Sequence, residues 1–224
     1  LVDNQRYLKL YWPQPRSTFS SNRIPFDQRK LLTLISGNKN SFRPNQLYAE
    51  RIKAIKYFSK TIPIEFDYYG FGWSENKLGL TKNPLVFLNK VYQYLTSPDL
   101  INYRGTVPDK LSALARYKYC ICYENMKNIK GYITEKIFDC FRSRCVPVYW
   151  GASNIADYVP ANCFIDKRNY SYPELLELIK GTDEKRYSQY LKAIDGYIAE
   201  KSFALFGTRN YVKNIMAVLL HRSE

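Results

Sequence analysis

The chain lacks most of what a metal-built or disulfide-built protein requires. It has one histidine, His221, and no Asp-x-Asp pair in 224 residues. The common ways of holding a divalent ion, imidazole clusters or carboxylates facing substrate phosphates, therefore find no motif. A lone histidine this near the C-terminus reads as a helix-end residue. The five cysteines, Cys120, Cys122, Cys140, Cys145 and Cys163, form neither Cys-x-x-Cys zinc spacing nor an even disulfide set. They are expected as buried free thiols, the state favoured in a reducing compartment. No apolar run reaches about 18 residues, so no segment of this sequence reads as a membrane-spanning helix. Acid is scarce too: 34 Lys plus Arg against 20 Asp plus Glu leave a formal charge of +14. With aromatics at 16%, that is the profile of a basic nucleic-acid-binding protein. Yet the basic residues are spread without a dense cluster, and a diphosphate-binding cleft or a basic surface beside anionic lipid accounts for them as well.

What is there concentrates between residues 117 and 151, YKYCICYENMKNIKGYITEKIFDCFRSRCVPVYWG. Residues 117–123 form a short aromatic, Cys and Ile run, the pattern of a mostly buried strand. Glu124 and Asn125 interrupt it, and a polar loop containing Gly131 follows. From Thr134 the period changes: Ile137, Phe138 and Phe141 share a helical face, Thr134 is placed to cap, and Glu135 lies in the first turn, where negative charge is favoured. Residues 146–150 form a second apolar strand, with Pro147 near its start and Gly151, Ser153 and Asn154 at its exit.

Two strands joined by a helix are almost always parallel with a right-handed crossover, which gathers Glu124, Asn125, residues 134–136 and residues 151–154 at one end of the sheet. Open α/β sheets bind ligands there. The helix start offers free N–H groups, Lys136 a cation for phosphate, and Glu135 an acceptor for vicinal hydroxyls such as those of a ribose. From helix chemistry alone, Glu135 and Lys136 equally fit an ordinary solvated charge pair. The rest of the chain repeats the alternation: a strand over 31–36 with its loop at 37–41, a helix over 45–60 with Pro44 near its start, a strand over 63–68, a helix over 110–116, and helices over 173–181, 184–201 and 208–221. That order is α/β.

The strings Tyr123-Glu124-Asn125, Gly131-Tyr132-Ile133-Thr134-Glu135-Lys136 and Val146-Pro147-Val148-Tyr149-Trp150-Gly151 closely resemble the signature of the family-ten glycosyltransferases, the α1,3/4-fucosyltransferases. The resemblance extends to LTLISGNK at 32–39, ERIKAIKYF at 50–58, Tyr69-Gly70-Phe71-Gly72-Trp73, Tyr103-Arg104-Gly105, Val159-Pro160 and Phe164-Ile165. It implies a Rossmann-like parallel sheet with flanking helices, one half of a GT-B glycosyltransferase whose two domains face each other across a cleft. At 224 residues, against about 150 for each such domain, the chain is expected to be the donor-binding half. Residues 1–30 would be an inter-domain linker or the end of a missing N-terminal acceptor domain, 31–200 the GDP-fucose-binding domain and 201–224 a C-terminal helix.

The activity implied is transfer of L-fucose from GDP-fucose to a hydroxyl of an acceptor oligosaccharide or glycan, in α1,3 or α1,4 linkage, with inversion and no metal or other cofactor. Arg51 and Lys136 would stabilise the departing GDP, Glu135 would hold the ribose, and Asn125, Tyr132, Thr134 and Glu124 would complete the donor site. Arg51 alone also fits a surface helical arginine, with Lys53 or Lys56 as substitutes, and Tyr132 fits a packing residue. The general base is expected outside this chain; Asp67, Glu65 and Asp109 are candidates by chemistry only. A donor-binding module without turnover is the alternative, and nucleic acid is not an implied partner. The cysteine pattern leans toward a cytoplasmic enzyme peripheral to the inner membrane; a Golgi-lumen location would need an upstream anchor.

Overall fold

Residue alternation along the central strand sets the architecture. In Tyr117–Tyr123 (β3), Tyr119, Ile121 and Tyr123 join one buried cluster, while Cys120 and Cys122 join the other. Successive side chains of a strand point to opposite faces, so a strand buried on both sides carries helices on both. The computed structural model describes residues 9–14, 24–39, 41, 43–74, 84, 88, 91, 98 and 100–221. Much of the expected connector, with Pro15 and the Ser-Thr-Asn cluster, lies outside the described residues, as do Asn40 in the first loop and residues 222–224 of the expected C-terminal helix.

Five strands form a wholly parallel sheet: Lys30–Ile35 (β1), Phe66–Tyr69 (β2), β3, Val146–Trp150 (β4) and Ile165–Asp166 (β5), in the order β2-β1-β3-β4-β5. One face is covered by Tyr48–Thr61 (α1) and Tyr172–Lys180 (α4), whose Ile55, Phe58, Leu175 and Ile179 pack on Leu32, Leu34 and Ile121. The other carries Lys110–Leu114 (α2), Glu135–Arg142 (α3) and Glu184–Ala199 (α5), with Leu114, Ile137, Phe138, Phe141, Ile194 and Tyr197 against Cys120, Cys122 and Tyr149. A turn at Lys201–Phe206 leads into the last helix, Thr208–His221 (α6). Among the described residues, no helix is long and apolar enough to cross a membrane. All five cysteines are buried and free, and burial pushes the Cys163 thiol up to about 12.

The departures from the sequence expectation have local causes. The helix expected from residue 45 begins at Tyr48, because the preceding residues pair with the segment after β3. Leu47 N–H donates to Asn125 O at 3.0 Å, Lys127 N–H to Asn45 O at 2.8 Å, and Gln46 bridges Met126. Gln46 Oε1 then accepts from Tyr48 N–H at 2.6 Å and stands in for a cap. The strand expected at 63–68 starts at Phe66, since Glu65 N–H turns back to Ile62 O. Helix α5 stops at Ala199 rather than 201 because Glu200 is extended. The two-residue β5 is too short to carry a periodic signal.

The order reverses direction at β1: the chain runs outward to β2, then returns to β3 on the other side. The crevice at the carboxyl ends of β1 and β3 is thus the topological switch point, where such sheets bind ligands. One glycine closes its rim. Gly70 ends β2 at φ +140°, and a Cβ there would lie 1.9 Å from the Ser36 carbonyl oxygen. Gly70→Ala is expected to destabilise the chain by about 1–3 kcal/mol, read by urea denaturation; an unchanged midpoint would contradict this close approach.

Candidate functional site

The site is built outward from Glu124, the residue immediately after β3. Its N–H donates to Trp150 O at 2.8 Å, continuing the ladder, and its side chain is fully buried. Space for that side chain exists because residue 151 is glycine: a Cβ there would lie 2.5 Å from Glu124 Cγ. The carboxylate turns toward the start of α3. Oε1 accepts from Thr134 N–H at 2.8 Å, and Oε2 accepts from the Thr134 hydroxyl at 2.7 Å and from Lys136 Nζ at 3.0 Å. Thr134 occupies the N-cap position but makes no side-chain cap bond. A cap bond would need its oxygen as acceptor, but Thr134 Oγ1 accepts instead from Lys136 Nζ at 2.8 Å while its proton goes to Glu124.

Glu135, next on α3, has a 43% exposed side chain with Lys136 Nζ 3.7 Å away. Burial on its inner side works to raise its pKa, but Lys136 and the local hydrogen bonds outweigh that and hold it below the usual carboxylate range. It is an ionised acceptor at neutral pH. Lys110, at the start of α2, bonds Asp139 Oδ2 at 2.9 Å one turn further along α3. Burial opposes its charge, yet Asp139 more than compensates and keeps it above the ordinary lysine value.

Arg51 reaches the same place from the opposite face. It is 4% exposed, with Nη1 on Ser36 Oγ at 3.0 Å and Nη2 on the carbonyls of Tyr123 and Glu124, both at 2.8 Å, and on Asn125 Oδ1 at 3.0 Å. The alternative of a surface helical arginine is thereby overturned: the side chain ties the carboxyl ends of β1 and β3 together. Burial lowers its pKa, with Tyr48 and Glu124 opposing, and a guanidinium still stays charged.

These groups surround a cavity of about 350 Å³ lined by Arg51, Asn125, Glu135 and Lys136 together with Ser36, Lys39 and Lys110. A second, of about 570 Å³, adjoins it through Lys39 and Asn125 and adds Arg43, Gln46, Tyr48 and Tyr132. Of the seven sequence-derived site residues, four line the first cavity and Tyr132 the second. Glu124 and Thr134 act from behind, as supports for Lys136. Lys39, Arg43, Tyr48 and Lys110 were not foreseen. The rule that placed residues 134–136 at the carboxyl edge also covers the loop after β1 and the start of a helix leading into the next strand, so it had the power to find Lys39 and Lys110.

The three acids named as bases by chemistry are committed elsewhere. Asp67 accepts from Lys30 at 2.6 Å, Arg104 at 2.7 Å and Tyr117 at 2.8 Å. Glu65 pairs with Lys180 at 2.9 Å, and Asp109 caps α2 through Leu111 and Ser112 N–H. Among the described residues, no group of three or more His, Cys, Asp or Glu side chains is arranged to hold a metal ion. Glu124→Gln keeps the shape but removes the charge facing Lys136, and is expected to lower stability by about 1–3 kcal/mol in denaturant titration. An unchanged midpoint would mean that the carboxylate does not organise the start of α3.

The glycosyltransferase family 10 (fucosyltransferase) C-terminal model matches residues 41–209. The chain is 40% identical over 81 residues to an alpha-(1,4)-fucosyltransferase of Arabidopsis thaliana, a stretch covering 35% of this chain and 20% of that protein. It is 33% identical over 75 residues to the alpha-(1,3)-fucosyltransferase FucT of Helicobacter pylori, covering 33% and 16%. A crystal structure of an alpha1,3-fucosyltransferase with GDP superposes with a TM-score of 0.50 at 19% identity, over 86% of this chain and 47% of that one. One of S. aureus TarM in a complex containing UDP gives 0.53 at 13%, over 90% and 37%. At such identities the likeness is one of fold, the parallel α/β sheet of GT-B glycosyltransferases. The chain spans about a fifth of the length of these curated relatives and less than half of these solved ones. With most of its length under one family model, the chain belongs to glycosyltransferase family 10, the fucosyltransferases, and corresponds to that family's C-terminal region.

Proposed function

We propose that the chain is the donor-binding part of a fucosyltransferase that moves L-fucose from GDP-fucose to an acceptor glycan hydroxyl, in α1,3 or α1,4 linkage, with inversion and without a metal. The observation that carries this is the switch-point cavity, which an ionised carboxylate, an ammonium and a guanidinium, Glu135, Lys136 and Arg51, line together at the start of a helix. That set suits a nucleoside diphosphate. Glu135 accepts from the ribose hydroxyls, while Lys136, the first N–H groups of α3 and Arg51 face the diphosphate. The adjoining cavity, with Lys39, Arg43, Asn125 and Tyr132, takes the outer phosphate and the sugar.

In the reaction the acceptor oxygen attacks the anomeric carbon from the face opposite GDP. The bond from that carbon to the phosphate oxygen breaks, and its electron pair leaves with GDP. Negative charge grows on the diphosphate, and fixed cations already aimed at it lower the barrier without reorganising. With two protein cations and helix N–H groups in that role, no divalent ion is needed. The acceptor proton goes to a carboxylate of a second domain, a reading supported by the commitments of Asp67, Glu65 and Asp109 to ion pairs and a helix cap. Those commitments also favour one secondary reading, that this chain alone binds the donor without turning it over. A cytoplasmic site at the inner membrane surface fits the excess of basic residues.

Calorimetric titration with GDP in EDTA tests the reading: binding without metal, competed by GDP-fucose, is the expected result. Lys136→Ala is expected to weaken GDP about 10-fold to 100-fold, the loss of one charge-assisted bond. Unchanged affinity in a folded variant would remove Lys136 from the site. Salt-sensitive oligonucleotide binding that GDP does not compete would point instead to a nucleic-acid protein.

A further inference from the structure

Of the cations that line the cavity, Lys110 is the one that the diphosphate assignment leaves without a role. Along α3, Thr134 and Lys136 stand at the N-terminal end, where phosphate is favoured. Glu135 and Asp139 are four residues apart and so lie on one face of the helix, their Cβ atoms about 5–6 Å apart. Asp139 holds Lys110 at 2.9 Å, and Lys110 lines the same cavity as Glu135. A nucleotide with its phosphates at Lys136 and its ribose at Glu135 extends its base toward Lys110. The rest of the cavity lining suits a flat ring: Ile35 and Leu114 are apolar, and Gly37 and Gly70 carry no side chain.

The geometry points to Lys110 as the residue that selects guanine, its ammonium donating to the 6-oxygen and N7 of the base. This rests on the donor-site reading given above. The chemistry is one-sided. An ammonium has three donors and no acceptor, of which Asp139 takes one. Guanine offers two acceptors on that edge, whereas adenine sets an amino donor in place of the oxygen. Asp139 is a positioning residue: it fixes the ammonium at the end of the slot and touches no part of the nucleotide.

The test is calorimetry on the 224-residue chain with GDP, ADP and 2-aminopurine riboside diphosphate, which lacks the 6-oxygen, repeated with Lys110→Met and Lys110→Arg. The unsubstituted chain is expected to bind GDP about 10-fold to 100-fold more tightly than either analogue. Lys110→Met is expected to lose that preference by weakening GDP while leaving ADP within a few-fold. Lys110→Arg, which retains donors for both acceptors, is expected to keep it. Equal affinity of the unsubstituted chain for GDP and the 2-aminopurine analogue would overturn the proposal while leaving the diphosphate site intact, and this arm needs no variant to fold. A folded Lys110→Met variant with the full guanine preference would overturn it too. Failure to bind any of the three nucleotides would bring down the donor-site reading itself.

Discussion

A fully buried carboxylate is tolerated only when its charge is met by donors, since desolvation otherwise costs several kcal/mol or drives protonation. Glu124 meets that condition through Thr134 N–H, the Thr134 hydroxyl and Lys136 Nζ, and most of the site follows from this one requirement. To reach those donors the loop after β3 must return, α3 must start at Glu135, and β4 must be followed by a residue without a Cβ. The loop is fastened on its way. Asn128 N–H bonds Gly151 O at 3.0 Å and Gly131 N–H bonds Asn154 Oδ1 at 2.8 Å, while Lys9 bonds the Tyr158 hydroxyl beside Gly131. Lys136 is thereby held in place before any ligand arrives, which is the condition for electrostatic stabilisation at low reorganisation cost.

Arg51 solves the matching problem on the other side of the sheet. At a switch point the neighbouring strands β1 and β3 send their chains to opposite faces, and carbonyls at the end of β3 are met by a side chain. A guanidinium with five donors satisfies several at once, and Arg51 does so for Tyr123 and Glu124 while also holding Ser36 and Asn125. Its structural role does not withdraw Arg51 from the cavity. The bonds that bury the guanidinium also fix its charge at the cavity wall, beside the Tyr48 ring 5.0 Å away.

The same logic holds for the inward-facing acids among the described residues. Asp67 is met by Lys30, Arg104 and Tyr117, Asp139 by Lys110, and Glu124 by Lys136. Acid is the scarce partner, and each of these acids is used to anchor cations at defined points. Two of those cations, Lys110 and Lys136, end at the cavity.

How much of this was legible in the sequence depends on how local each cause is. Strands β3 and β4 could be read to the residue because a short continuous apolar run bounded by polar residues has few other uses. Helix α3 was legible from Ile137, Phe138 and Phe141 on one face, and right-handed crossover then brought Glu124, Asn125 and residues 134–136 to one edge of the sheet. The start of α1 was not legible: residues 45–47 pair with 125–127, some 80 positions away, and sequence periodicity carries no trace of that pairing. Nor were the roles of individual charges. Whether Glu124 faces a ligand or a helix start depends on the missing Cβ at Gly151, whether Arg51 is exposed depends on carbonyls more than 70 residues distant, and Lys110 lines the cavity while bonded to Asp139 of another helix. The sequence by itself determined the longer elements, their parallel sense and the edge where a site forms, because those follow from periodicity and chirality. The tertiary structure alone decided which charges line the cavity and which lie behind it, because burial and pairing are set by neighbours distant along the chain.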